Sequence, residues 1–585
     1  ARIDPRAAYT GKPRLRIANV AVHFGWNALC GPYLPYSWAM DVTRAKTEPD
    51  FSHCEVMQDI CTYGVVRDPP VLPPNLRPDG RPDNNMVFGR ANVTYTTDPE
   101  CIPKFGTRNI GCVEGYRPTV YRMCHHCEEL AIKGRVIKNL PTFSQNPAHI
   151  QNAWDMLTAD VLHMFTPITR VTKGMNFEDW LARMPATKRG LYRRLHEDII
   201  EMPYSRRKGV LFEANAFVKR EKANREMPSV LPLGIHDGEI AQDIVGLKDP
   251  RLIQASPPEL NYVCGRYITR LAKNLRKALL PKAFIPADLT HGRHFIYTCG
   301  MTNIGIGQAY GQALDLIEGM LEDGERLVVL EDDQSRFDMH IGPQAFNFLY
   351  QVYDWKLPRK IASKLRRGTG RTPTNFGRSK SGAKYYTQPA MQSGWPDTSC
   401  GDTIINMAMK THIHGFGRKW LSIVCGDDSV TITTDREIAR AGGTDGIINS
   451  YRRLGMEIEA KLSFNPWDAE FCSGRFMQSA STYILVPKTG KLLARILCDT
   501  SDRNNRTQAS WVRGIASTLR MFTWDPILLS YARGIERQIP DGDKFVEENP
   551  YKTAYISSST VSLHDALAYY SHHYNVTASQ VASIR

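Results

Sequence analysis

The sequence predicts an α+β fold with more than one packed subdomain, and three observations carry that reading. The chain has 585 residues, several times an ordinary domain. In "NAWDMLTADVLHMF" and "FEDWLARM", apolar residues recur at spacings of three and four, the period of an amphipathic helix. Short β-branched runs, "RLVV" and the pair "LSIV" and "SVTI", end in polar turns and read as strands.

Composition narrows the class. Hydrophobic residues make up 42% and charged residues 23%, enough for a large core. Lys plus Arg is 74 against 60 for Asp plus Glu, a formal charge of +14, which favours a polyanionic partner or a negative membrane surface. No run of 18 or more apolar residues occurs, so no transmembrane segment is expected. The chain lacks an initiator methionine, and we expect it to be trimmed or part of a longer product. Its 13 cysteines are an odd number spread from Cys30 to Cys498, which fits a reducing compartment better than a disulfide framework. Within "CHHC", Cys124 and Cys127 have the spacing of zinc ligands, with Cys101 and Cys112 as the other donors. Ordinary buried thiols are the competing and simpler reading.

Along the chain, the first 140 or so residues are rich in Pro, Gly and Cys, and Val66 to Asn85 reads as an extended irregular segment. The helical stretch from about 150 to 205 follows, then a mixed, strongly basic stretch from 210 to 270. "RLVVLEDDQSRFD" is a strand running into a polar turn, and "PQAFNFLYQVYDW" is helical. Lys356 to Lys384 is basic; a serine–glycine loop, a helix and a hairpin come next. The tail is helical where it is readable, as in "SLHDALAYYSHHY".

The chemistry lies in four short stretches. In "EDDQSRFD", Asp333 and Asp338 sit just past a buried-strand signal, where a carboxylate meets a ligand. In "SIVCGDDSV", Asp427 and Asp428 stand at a hairpin tip and repel each other unless cations are present. Magnesium takes carboxylate and phosphate oxygens together, and two ions roughly 3.5–4 Å apart can activate a hydroxyl and stabilise a leaving pyrophosphate. Asp333 and Asp427 supply carboxylates from two neighbouring strands for that chemistry. In "QSGWPDTSCGDTIIN", Ser393-Gly394 gives a flexible loop, and Thr398, Asp402 and Asn406 recur every four residues on one helical face, a stripe suited to a hydroxylated ligand. A helix with a wet face, capped by Asp397, is the alternative. Upstream, Lys219, Arg220, Lys222 and Arg251 can line a channel for a triphosphate, or form a solvated basic face.

Taken in order, these stretches resemble the viral RNA-dependent RNA polymerases of positive-strand RNA viruses. "FVKREK", "QSRFDMH", "CGDD" and "EFCSGRF" are most similar to the tombusvirus-like group, and "TSCGDT" is similar to the flavivirus-like enzymes. The resemblance covers about residues 205 to 480. It implies a right hand with an antiparallel palm sheet flanked by helices and a closed fingertip–thumb ring. The implied division is 1–205 N-terminal extension and fingertips, 206–325 fingers, 326–340 palm, 341–390 fingers insertion, 391–478 palm, and 479–585 thumb and tail.

The resemblance also implies roles. Asp333, Asp427 and Asp428 hold two magnesium ions, for which manganese can substitute, and Lys461 in "LGMEIEAKLSF" is the general acid. Lys219, Arg220, Lys222 and Arg251 meet the triphosphate; Asp338, Ser393, Thr398, Asp402 and Asn406 position ribose and template. Gly394, Cys472 and Arg475 face RNA. The family carries Asn where this chain has Asp402, which would oppose two carboxylates, Asp402 and Asp338. Implied partners are an RNA template, the nascent strand and NTPs, with other viral replication proteins or a membrane adaptor placing the chain at replication complexes in the host cytoplasm. Two rivals remain. A reverse transcriptase needs a bulky residue near position 338, where this chain has a small Asp. A non-catalytic RNA-binding scaffold would be marked by loss of a carboxylate at 333 or 427, and both are present.

Overall fold

The computed structural model describes residues 146–201, 250–366, 390–479, 508–522, 525–539 and 561–575, together with shorter segments at 91–94, 108–109, 119–120, 125–137, 213–219, 222–223, 375–379, 384–387, 482–489 and 498–499 and a few single residues. The elements that position the site are taken in chain order. Helix α1 is Pro258–Leu279, strand β1 Phe295–Tyr297 and strand β2 Leu327–Gln334. Helix α2 is Thr398–His414, and strands β3 and β4 are Leu421–Cys425 and Asp428–Thr434. Helix α3 is Gly443–Arg453, and strand β5 is Ile458–Ser463.

The five strands form one sheet in the order β5-β2-β4-β3-β1, antiparallel except for the β1–β3 pair. Alternation along each strand decides what meets each face. Val328 and Leu330 of β2 join a core with Ile404, Met407 and Ala408 of α2, with α1, and with helices Pro147–Val161 and Pro343–Lys356. Val329 of β2, with Ile423, Val430 and Ile432, joins a second core against Tyr310, Ala313 and Ile317 of helix Asn303–Glu318. Such a sheet, buried on both faces, explains why β2 reads "LVVL" without a polar alternate.

A second five-stranded sheet runs in the order Ala91–Thr94, Lys384–Thr387, Asn375–Ser379, Glu213–Val218, Leu252–Ala255. Glu470–Phe471, Gly474–Ser479 and Thr482–Pro487 make a three-stranded sheet. Its Met477, Ile484 and Val486 pack with helices Gln508–Leu519, Pro526–Gln538 and Leu563–Tyr574 in a separate core. Arg108–Asn109 pairs with Cys498–Asp499, joining an early segment to a late one. The expected helices near 150–165, 177–182 and 343–356, the hairpin and the tail helix are all present. The extended reading of Val66 to Asn85 falls outside the described residues. Among the described residues, no helix is long and apolar enough to cross a membrane.

Candidate active site

The β3–β4 hairpin fixes the acidic pair. Cys425 and Asp428 are cross-strand partners, so the loop is Gly426-Asp427, two residues long. Gly426 has φ +68°, the left-handed region that such a loop demands at its first position. Across the sheet, Val430 pairs with Glu331, and continuing that register sets Asp428 opposite Asp333. Both point to the face away from α2, and both are exposed. Asp427, at the tip, is exposed as well.

The electrostatics follow from this crowding. Asp428 opens to solvent on one side but has protein packed around the rest of it; that partial desolvation first, then the neighbouring Asp427 and Asp333 charges, push its carboxyl up to about 6, opposed by a hydrogen bond with Cys472 and by the Arg251 charge. Asp338 is also raised, chiefly by burial and further by Asp427, while Arg135 and Arg251 pull it down. One site therefore gathers Asp333, Asp338, Asp427, Asp428, Arg251 and Cys472. Arg251 reaches it from the strand Leu252–Ala255, and its carbonyl accepts from the Lys219 N–H at 2.7 Å, which brings two of the predicted cations side by side. Arg220 lies outside the described residues, and Lys222 is described only as part of a short strand.

The loop before α2 is stitched to that same strand. Ser393 Oγ donates to the Leu252 carbonyl at 3.2 Å and accepts from the Gln254 N–H at 3.3 Å. Gly394 N–H donates to the Gln254 carbonyl, and the Gly394 carbonyl accepts from Ser256 N–H, both at 3.2 Å. A Cβ on Gly394 would stand 2.7 Å from Ala255 Cα, so only glycine permits this approach. Thr398 Oγ1 donates to the Gln392 carbonyl at 2.6 Å and so secures the start of α2.

Thr398, Asp402 and Asn406 do share a face of α2, but their jobs differ. Asp402 is 8% exposed, and Asn406 is fully buried. The Asn406 amide donates to the carbonyls of Gly426 at 3.0 Å and Asp427 at 3.4 Å, and its oxygen accepts from Gln334 Nε2 at 3.0 Å. That geometry spends Asn406 on the hairpin tip and on β2. Lys461 is half exposed and pairs with Glu331 at 3.1 Å, on the sheet face that carries Asp333. Burial raises the Glu331 carboxyl and Lys461 opposes the rise.

Cys472 and Ser473 both have positive φ, 50° and 61°, in the two-residue turn after Phe471, and the Cys472 thiol hydrogen-bonds with Cys425 and Asp428. Arg475 is largely enclosed, paired with Glu470 at 3.0 Å and lying over the Tyr574 ring. The tail helix also bears on the turn Pro466–Asp468: His572 Nε2 lies 2.8 Å from Asp468. Of the zinc candidates, Cys127 is buried at the start of helix His125–Ile132, and Cys101, Cys112 and Cys124 lie outside the described residues. Among the described residues, no group of three or more His, Cys, Asp or Glu is arranged to hold a metal ion as it stands.

A family model for viral RNA-dependent RNA polymerase matches residues 137–584. The chain belongs to that family. It is 25% identical to an RNA-directed RNA polymerase of Cymbidium ringspot virus over 358 residues, 58% of this chain and 38% of the relative. Against an RNA-directed RNA polymerase of Oat chlorotic stunt virus the figures are 26% over 368 residues, 59% and 43%. The chain thus spans less than half the length of these curated relatives. A solved chain, the insertion loop deletion mutant of the RNA-dependent RNA polymerase of a human picorbirnavirus, aligns at 12% identity and TM-score 0.41, covering 78% of this chain and 76% of that one.

Around this acidic site, three residues escaped the sequence reading. Arg135, in the turn Lys133–Ile137, acts on Asp338 although the family match begins two residues later; nothing in "KGRVIK" marks it. Asp332 and Lys410 are both fully buried and hydrogen-bonded to each other. Lys410 continues the four-residue spacing of Thr398, Asp402 and Asn406, a signal that was available.

Proposed function

We propose that this polymerase-family chain synthesises RNA on an RNA template from NTPs and thereby copies a viral genome. The observation that supports this most is the convergence of Asp333 with Asp427 and Asp428 on one sheet face, with Arg251 beside them. The donor set suits a divalent cation: hard carboxylate oxygens, with Asp428 raised first by desolvation and then by the charges of Asp427 and Asp333, a rise that a bound positive charge would offset. Asp333, Asp427 and Asp428 would hold two magnesium ions, with manganese able to substitute. Such ions, when bound, lower the pKa of an attacking 3′-hydroxyl and stabilise charge on the departing pyrophosphate.

The chain's own groups do the remaining work. Arg251 and Lys219, with Arg220 and Lys222 of the same segment, hold the triphosphate as its charge shifts. Lys461 leaves Glu331 and gives its proton to pyrophosphate. Asp338 and Asp402 read the ribose; a raised Asp338 can hold a proton and donate a hydrogen bond. The Ser393-Gly394 loop aligns the template, and Cys472 and Arg475 border the nascent strand.

In this reading the sheet β5-β2-β4-β3-β1 is the palm, the sheet holding Leu252–Ala255 belongs to the fingers, and the helices after 508 form the thumb. The pairing of Arg108–Asn109 with Cys498–Asp499 supports a closed ring. We place the chain in the host cytoplasm at membrane-bound replication complexes, held there by other viral replication proteins or a membrane adaptor.

The test is extension on a defined RNA template, with and without primer, in magnesium and in manganese. Template-length RNA made from NTPs in preference to dNTPs is expected. Preference for dNTPs would favour reverse transcription, and RNA binding without synthesis would favour a scaffold.

A further inference from the structure

Asp333 is flanked on β2 by Asp332 and Gln334, and alternation turns both of these toward α2 while Asp333 faces the opposite way. Both flanking side chains are locked to the same helix. Gln334 bonds Asn406 at 3.0 Å, and Asp332 bonds Lys410, one turn farther along. The Asp332 carboxylate takes two more donors, Ser429 Oγ at 2.7 Å and the Tyr451 hydroxyl at 2.8 Å. Lys410 also donates to Thr431 Oγ1 at 3.0 Å. Asp332 and Lys410 are 0% exposed.

Each donor comes from an element that carries part of the site or leads directly into one that does. Lys410 lies two turns after Asp402 on α2. Ser429 follows Asp428 on β4. Tyr451 belongs to α3, which leads into β5 and Lys461. A buried ion pair is a poor stabiliser, because desolvating two charges offsets most of their attraction, and an apolar pair of similar volume often serves as well. What such a pair does provide is a fixed spacing, since its directional bonds admit one arrangement.

We propose that Lys410 and Asp332 are positioning residues of the polymerase: an internal strut that sets Asp333 on β2 against Asp428 on β4 at the separation nucleotide addition needs. This rests on the reading of the site as a polymerase centre. The strut acts from behind the sheet and touches neither nucleotide nor RNA. Its loss moves reacting groups without removing a binding contact, so kcat falls while the KM for NTP stays.

The test compares wild type, Tyr451→Phe and the double variant Asp332→Leu with Lys410→Met, by thermal unfolding and by steady-state extension at varied NTP. Tyr451→Phe trims one donor, keeps the ring and leaves the Asp332–Lys410 pair in place, so it is the milder perturbation of the fold. The double variant replaces both charges with apolar groups and leaves no buried charge unpaired. We expect kcat to drop several-fold in Tyr451→Phe and about 100-fold in the double variant, the scale of an ångström-sized displacement at a reacting centre. KM for NTP should hold within about twofold of wild type, and half-saturation by magnesium should shift to higher concentration. Wild-type kcat in a variant that unfolds at the wild-type temperature overturns the strut. So does a loss confined to KM. Absence of synthesis by the wild type itself would instead overturn the polymerase reading, so the two failures are distinguishable.

Discussion

Replacing Asn406 with Asp changes almost no volume and isolates the amide's hydrogen-bonding role. The native amide is fully buried, donates to the carbonyls of Gly426 and Asp427 at 3.0 and 3.4 Å, and accepts from Gln334. An Asp carboxylate keeps the acceptor and loses both donors, and it faces two backbone carbonyl oxygens. At about 1 kcal/mol per lost bond, plus the cost of unsatisfied buried carbonyls, Asn406→Asp should cost about 2–4 kcal/mol near pH 8. The pH dependence has a definite sign. Unfolded, the new carboxyl titrates near the ordinary value of about 4; folded, it is raised. The penalty is therefore small below pH ~4, where both states are protonated, and grows as pH rises toward the folded value. Urea unfolding at pH 5 and pH 8 measures this directly. Extension assays add a second readout, because a loosened hairpin tip lowers kcat alike for every NTP. A variant as stable as wild type at pH 8, or one with altered NTP over dNTP preference and intact kcat, would refute the reasoning and return Asn406 to the ribose.

Two further outcomes follow from the same geometry. Gly394→Ala forces a Cβ to within 2.7 Å of Ala255 Cα and 2.9 Å of the Gln254 carbonyl, backbone atoms that cannot swing aside, so thermal unfolding should report a loss of about 1–3 kcal/mol and kcat should fall as the strand next to Arg251 shifts. With Asp428 at about 6, a magnesium titration without substrate should show affinity falling about tenfold per pH unit below that value and levelling above it, and removing the Asp427 charge should move the break to lower pH; a flat profile from pH 5 to 8 would contradict this.

What the sequence showed plainly was whatever is local. The hairpin, the glycine at its tip and the paired aspartates are written within nine residues, and strand and helix periods mark β2 and α2. The resemblance singled out Asp333, but the local pattern of "EDD" does not itself say which carboxylate points inward. The answer depends on pleat phase, and the pleat turned Asp332 to the helix and left Asp333 open. The stripe on α2 was visible as a polar face, but reading it as ligand contacts missed that Asn406 and Lys410 bond residues 20 and 78 positions away. Arg135 lay beyond reach for the same reason: its partner, Asp338, is some two hundred positions along the chain. Register and through-space charge are properties of packing, and no single window of sequence contains them.

The central claim is that the β3–β4 tip carries the reacting centre. The most direct measurement is nucleotide addition by Asp427→Asn beside wild type, on the same RNA template, with thermal unfolding of both. The variant removes one exposed carboxylate and little else, so it should unfold close to the wild-type temperature and add no detectable nucleotide in magnesium or manganese. Wild-type turnover by a folded Asp427→Asn chain would contradict the account.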